Sequence, residues 1–129
     1  LAYFLKEVFF MVETESTWQV LCASSHLHNG GQGWRFVWDG QPAFAVRHQN
    51  QVYAYVNRCR HIPIELDWNE GIFFDAEGVN LMCATHGAVY ETASGVCVAG
   101  PCRGQRLQPI ALIEKAEVVY YQAQFLPVD

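Results

Sequence analysis

The sequence is short of charge, and of basic charge above all. Lys and Arg number 8 against 13 Asp and Glu, giving a net charge of −5 and an isoelectric point near 5.4. That balance excludes nucleic acid as the main partner, because a phosphate backbone calls for a basic face. No apolar run is long enough to cross a membrane, so no membrane anchor is expected. Leu1 to Val12 is apolar but carries Lys6 and Glu7, and no small-residue cleavage site follows. It does not read as a signal peptide. No repeat, linker or strong helical stretch stands out. A disulfide framework is also missing: the five Cys are odd in number and irregularly spaced. This usage fits a reducing, cytoplasmic compartment better than a secreted one.

What is present suits one globular domain. A chain of 129 residues can bury a core without staples. Apolar residues at 51% against charged residues at 16% exclude disorder. Residues 1–16 read as an N-terminal extension, of which 1–10 could be a cloning remnant or the end of something longer. Residues 17–129 read as the domain.

The domain reads as all-β. Thr17 to Ser24 is rich in β-formers. His26 to Gly33 is a glycine-rich loop, and its two His are read as polar loop residues because no third ligand is near. Phe36 and Trp38 then alternate with Arg35, Val37 and Asp39, and Asp39-Gly40 signals a hairpin. Phe44, Val46 and His48 alternate with Ala45 and Arg47. Gln49-Asn50-Gln51 turns the chain, and Val52, Ala54 and Val56 alternate with Tyr53 and Tyr55. Three strands at this spacing predict an antiparallel meander running straight into Cys59. Residues 62–80 are a long connection, the kind that is usually functional. It holds Glu65, Asp67, Glu70, Asp75 and Glu77 and no base, which reads as a solvated loop with room for a short helix. Short strands are expected at Leu81-Met82-Cys83 and Val89-Tyr90-Glu91. Another ends at Gly100-Pro101, and two more lie between Leu107 and Phe125, broken near Glu114-Lys115.

The chemistry concentrates in Cys59-Arg60-His61 and Cys83-Ala84-Thr85-His86, with twenty-one residues between them. Thiolate and imidazole both suit zinc and iron, so residue type alone does not choose the metal. The arrangement is informative. Zinc fingers with two Cys and two His usually keep like ligands together, whereas here each pair is mixed. Two mixed pairs on separate loops can grip a two-iron cluster from both sides, with two sulfurs on one iron and two nitrogens on the other.

At this point the chain resembles the Rieske family, over roughly residues 17–122. The family pattern is C-x-H, a long spacer, then C-x-x-H, and both halves are present. His86-Gly87-Ala88-Val89-Tyr90 matches the family's His-Gly-x-x-aromatic stretch. Ser94-Gly95 and Gly100-Pro101 match its turn and proline loop. The resemblance implies an antiparallel β sandwich or barrel with a small cluster-binding subdomain of two loops, about 57–91, and a proline loop, about 100–102. It implies one [2Fe–2S] cluster held by Cys59, His61, Cys83 and His86. A fifth ligand is not needed, so Cys102 reads as a small, partly buried residue. Ring size leaves a Cys97–Cys102 disulfide open.

With two ferric irons, two sulfides, two thiolates and two neutral imidazoles, the unit is neutral, and reduction by one electron makes it negative. Imidazole donates less charge than thiolate, which raises the potential into a class range of about −150 to +300 mV. In the respiratory members a Ser and a Tyr hydroxyl donate to cluster sulfurs. Tyr90 matches the second position, but Ala88 stands at the first. The respiratory disulfide positions hold Ile64 and Thr85. The resemblance therefore implies a ferredoxin-type carrier of lower potential, taking one electron from a reductase to a terminal redox enzyme. Docking is expected around His61, Pro63, His86, Gly87 and Pro101. With only His26, His28 and His48 left over, no second iron site of an oxygenase is available, so the chain reads as a carrier and not an enzyme. Two alternatives stand beside this: a small subunit of a larger reductase such as a nitrite reductase, and a zinc-stabilised module without redox function.

Overall fold

The computed structural model describes residues 17–123. The readings of residues 1–16, and of the last strand's end at Phe125, lie outside them. Ten strands build three open sheets: β1 (Trp18–Ala23), β2 (Trp34–Trp38), β3 (Gln41–His48), β4 (Gln51–Val56), β5 (Leu81–Met82), β6 (Val89–Tyr90), β7 (Cys97–Ala99), β8 (Pro109–Ile110), β9 (Leu112–Lys115) and β10 (Val118–Gln122). Among the described residues, helix is limited to one 3₁₀ turn at Ser24–His26, and the helix allowed for residues 62–78 does not form. The sheet orders are β1-β10-β9, β2-β3-β4-β8 and β5-β6-β7, all antiparallel. None of them closes into a barrel.

The predicted meander is the centre of the molecule. Asp39-Gly40 and Gln49-Asn50 both adopt positive φ at two successive residues, the geometry that a two-residue hairpin with native twist requires. The alternation of β3 and β4 sorts their side chains between two cores. Phe44, Val46 and Tyr55 enter one; Ala43, Ala45, Ala54 and Val56 enter the other. On the second face lie Cys22, Leu27 and Val119, from β1, the loop after it, and β10. The first face is covered by the 62–80 connection and the β5-β6-β7 sheet, through Leu66, Phe73, Leu81 and Tyr90. Burying each such side chain contributes roughly 1.5–3 kcal/mol.

Two contacts of aromatic side chains fix the 62–80 connection and the segment after β6 on the meander. Phe73 stacks on Phe44 at 3.9 Å between ring centroids. Tyr55 donates its hydroxyl to the Thr92 carbonyl at 2.6 Å, and burial pushes its phenol up to about 12. Gly95 is required beneath that ring. Its φ is +76°, and a Cβ there would come within 2.7 Å of the Tyr55 ring.

Candidate metal centre

The first loop leaves the end of β4 through Asn57, which is buried and fully used. Its N–H donates to the Pro42 carbonyl at 2.8 Å, and its side-chain oxygen accepts from the Leu66 N–H at 2.8 Å. Its amide donates to Asp67 at 3.0 Å. One side chain thus clamps both ends of the loop. The Cys59 N–H closes the interior by donating to the Ile64 carbonyl at 2.7 Å.

Asp67 corrects the solvated-loop reading of the five acids. Its side chain is fully buried, accepts from the Gly71 N–H at 2.9 Å, and pairs with Arg35 at 3.2 Å. Arg35 also holds Glu65 at 2.7 Å and Glu70 at 3.3 Å. Three of the five acids therefore converge on one guanidinium from β2. Buried carboxylates survive only when paired and hydrogen-bonded in this way.

The second loop connects β5 to β6. The Cys83 N–H donates to the Ala88 carbonyl at 2.9 Å, and the Gly87 N–H donates to the Cys83 carbonyl at 2.7 Å. The Ala84 N–H reaches across to the Leu66 carbonyl at 3.0 Å, tying the second loop to the first. The proline loop presses on the same place. Gly100 has φ of +100°, and a Cβ there would sit 3.1 Å from the Ala88 Cα.

The structure pairs the singled-out side chains across the two loops, Cys59 with Cys83 and His61 with His86. Cys59 and Cys83 are buried neighbours, while His61 and His86 are exposed, with ring centroids 4.9 Å apart in an edge-on arrangement. The cradles match. Each Cys sulfur faces the backbone N–H groups two and three residues on: His61 and Ile62 for Cys59, Thr85 and His86 for Cys83. Burial pushes the Cys59 thiol up, but hydrogen bonds from Tyr90, these N–H groups and Cys83 outweigh it, and the net direction is down. For Cys83 burial prevails, and the net direction is up.

The Tyr90 hydroxyl lies 3.3 Å from the Cys59 sulfur and accepts from the Arg60 N–H at 2.8 Å. Ala88 places no hydroxyl on the Cys83 side. His26 stacks on Trp34 at 4.9 Å, in keeping with a loop residue. Cys102 is wholly buried, not partly so, and Cys97 and Cys102 are free thiols. Sequence reasoning missed Asn57 and the special place of Asp67. The only signals were an Asn at a strand end and one acid among five. An open cleft of about 310 Å³, lined by Arg58, Cys59, Arg60, His61, Ile62 and Pro63, runs beside the first loop.

Two buried thiols and two exposed imidazoles, one of each per loop, are a set of side chains suited to holding a metal. The chain belongs to the Rieske [2Fe-2S] domain family, whose model matches residues 17–121. Its cofactor is a Rieske-type [2Fe–2S] cluster. The donors fit that group. Two paired thiols and two paired imidazoles offer two donors to each iron of a two-iron cluster.

The fold is similar to that of the ferredoxin of carbazole 1,9a-dioxygenase from Nocardioides aromaticivorans IC177, with a TM-score of 0.70 at 24% identity, over 84% of this chain and 100% of that one. A ferredoxin from a complex of reduced oxygenase and oxidised ferredoxin in carbazole 1,9a-dioxygenase gives 0.69 at 24%, over 86% and 97%. The terminal oxygenase of carbazole 1,9a-dioxygenase from the same Nocardioides strain gives 0.69 at 17%, over 87% of this chain but 32% of that one. At these identities the likeness is one of fold. Comparison with curated proteins gives no match. No helix of the described residues is long and apolar enough to cross a membrane.

Proposed function

We propose that the protein is a one-electron carrier of the ferredoxin type, working in the cytoplasm between a reductase and a terminal redox enzyme such as an oxygenase. Cys59 and Cys83 would hold one iron and His61 and His86 the other. The cluster supplies the gain and release of a single electron. The chain's residues do the rest. The two N–H cradles and the Tyr90 hydroxyl place positive dipoles on the sulfur side, which favours the more negative, reduced state. The exposed imidazoles offer the electron's exit and a place for a coupled proton. Lacking a hydroxyl at Ala88, the site should sit below the respiratory class.

The observation that carries this reading is the split in exposure: sulfurs inside, imidazoles at the surface. The rim around His61 supports a reading of the partner's charge. Arg58 and Arg60 are exposed in the cleft beside it, while Glu65, Asp67 and Glu70 of the neighbouring loop pair with Arg35. A partner with an acidic face is the fitting one. The test is direct. The purified protein should be red-brown, give a Rieske spin-resonance signal after reduction, and titrate below about +250 mV, near the top of the class range. Reversing Arg58 and Arg60 to Glu should slow transfer to the partner without moving the potential. A colourless protein with stoichiometric zinc, or a potential above that figure, sinks the reading.

A second reading keeps the cluster and makes the chain a docked subunit. Trp68 is 78% exposed, and Ile62, Ile72 and Val79 on the same connection are exposed too. Copurification with a larger reductase would favour it.

A further inference from the structure

After β7 the chain turns at Gly100-Pro101 and comes back over itself. The Cys97 N–H donates to the Gln105 carbonyl at 2.7 Å, and the Gly104 N–H donates to the Cys97 carbonyl at 2.9 Å. This return places the Cys102 sulfur 2.6 Å from the Cys97 sulfur, both residues 1% exposed. The Cys97 S–H donates to the Ala99 carbonyl at 3.2 Å, so its sulfur can only accept from Cys102. The Cys102 sulfur also lies 3.4 Å from the Tyr90 hydroxyl oxygen, within reach of a thiol hydrogen bond. Tyr90 is fully buried, and its oxygen already accepts from the Arg60 N–H.

The protons can be assigned. A metal-bound thiolate has no proton and can only accept. If Cys59 is such a ligand, the Tyr90 hydroxyl proton goes to its sulfur, 3.3 Å away. The Tyr90 oxygen is then left to accept from two donors, the Arg60 N–H and the Cys102 S–H. Donation into an oxygen polarises its O–H bond and strengthens what that hydroxyl gives away. We propose that Cys102 is a positioning residue for the redox site: its thiol reinforces the Tyr90-to-Cys59 hydrogen bond and so holds the reduction potential up, while Cys97 competes for the same thiol proton and limits the effect. The inference rests on Cys59 being a cluster ligand.

The experiment is redox titration of the purified holoprotein, with iron content and visible spectrum as controls. Cys102→Ala should lower the one-electron equilibrium constant about two- to tenfold, tenfold being about 59 mV. Cys102→Ser, which keeps a donor in nearly the same volume, should hold the wild-type potential. Cys97→Ala should raise it, because the Cys102 proton then has only Tyr90 to serve. In a Tyr90→Phe background the Cys102→Ala shift should vanish. An unchanged or raised potential in Cys102→Ala overturns the proposal, as does a shift that persists without the Tyr90 hydroxyl, or a Cys97–Cys102 disulfide in the purified protein, which leaves Cys102 no proton to donate. So does a fall in Cys102→Ser if Cys102→Ala fails to fold. If Cys59→Ala still retains the full iron content and spectrum, the ligand reading fails and takes this inference with it. If the ligands hold and the potentials do not move, only the role of Cys102 fails.

Discussion

The two Cys/His loops have the same sulfur cradle and different support. In both, backbone N–H groups two and three residues on turn back toward the Cys sulfur. Behind the first loop stands a polar scaffold: Asn57, Asp67 and Arg35 below it, and the Tyr90 hydroxyl on its sulfur. Behind the second loop there is mostly backbone and apolar packing, with Ala88 pressed against Gly100. The comparison teaches that a cradle comes from local turn geometry, whereas tuning and rigidity come from side chains supplied by distant segments.

Five substitutions test that division. Cys59→Ala and Cys83→Ala should have the largest effect and an equal one, since the cradles are equivalent. Each should abolish bound iron and visible absorbance; retention of iron by either variant would break the symmetry. Asp67→Ala comes next. It leaves the Asn57 amide and the Gly71 N–H without their acceptor and removes a partner of Arg35, a loss of about 2–4 kcal/mol. Denaturant unfolding would read it, and the matching change on the second loop, Thr85→Ala, should cost almost nothing because Thr85 is exposed. Ala88→Ser gives the second loop the hydroxyl that the first already has in Tyr90. Redox titration should show a rise of up to about tenfold in the one-electron equilibrium constant, or about 59 mV.

The smallest effect lies away from both loops. Glu114 accepts from Arg47, and that hydrogen bond holds its carboxyl below the usual range, with burial opposing. A lowered folded pKa stabilises at pH above the unfolded value of about 4.3, and that stability is lost as pH falls through the folded value. Glu114→Gln should therefore cost about 0.5–1 kcal/mol at neutral pH and flatten the acid limb of the unfolding curve. Its potential should match that of the unaltered protein. A shifted potential would mean that the outer sheet is coupled to the loops.

The four candidate donors were legible because their signal is local: each Cys and its His lie within one turn, at a spacing that carries its own chemistry. The meander was legible for the same reason, since alternation and a turn signal such as Asp39-Gly40 operate over a few residues. Other features were hidden. Ala116-Glu117 makes the turn between β9 and β10 with positive φ at both residues, and neither type announces it. Asp67 looked like its four acidic neighbours. Only its position under β2, opposite Arg35, makes it a buried anchor.

By itself, the sequence determined the β-rich class, the central strands and the two mixed Cys/His pairs, because periodicity and spacing are short-range properties. Tertiary structure decided how those pairs are used. The Ala84-to-Leu66 bond joins the two loops, the 62–80 connection seals the core through Phe73 on Phe44, and the return of the chain sets the Cys102 sulfur 3.4 Å from the Tyr90 hydroxyl behind Cys59. These contacts join residues whose neighbours in the chain say nothing of one another. Their partners are set by which faces the cores bury, and a buried polar group must take whatever partner that packing supplies.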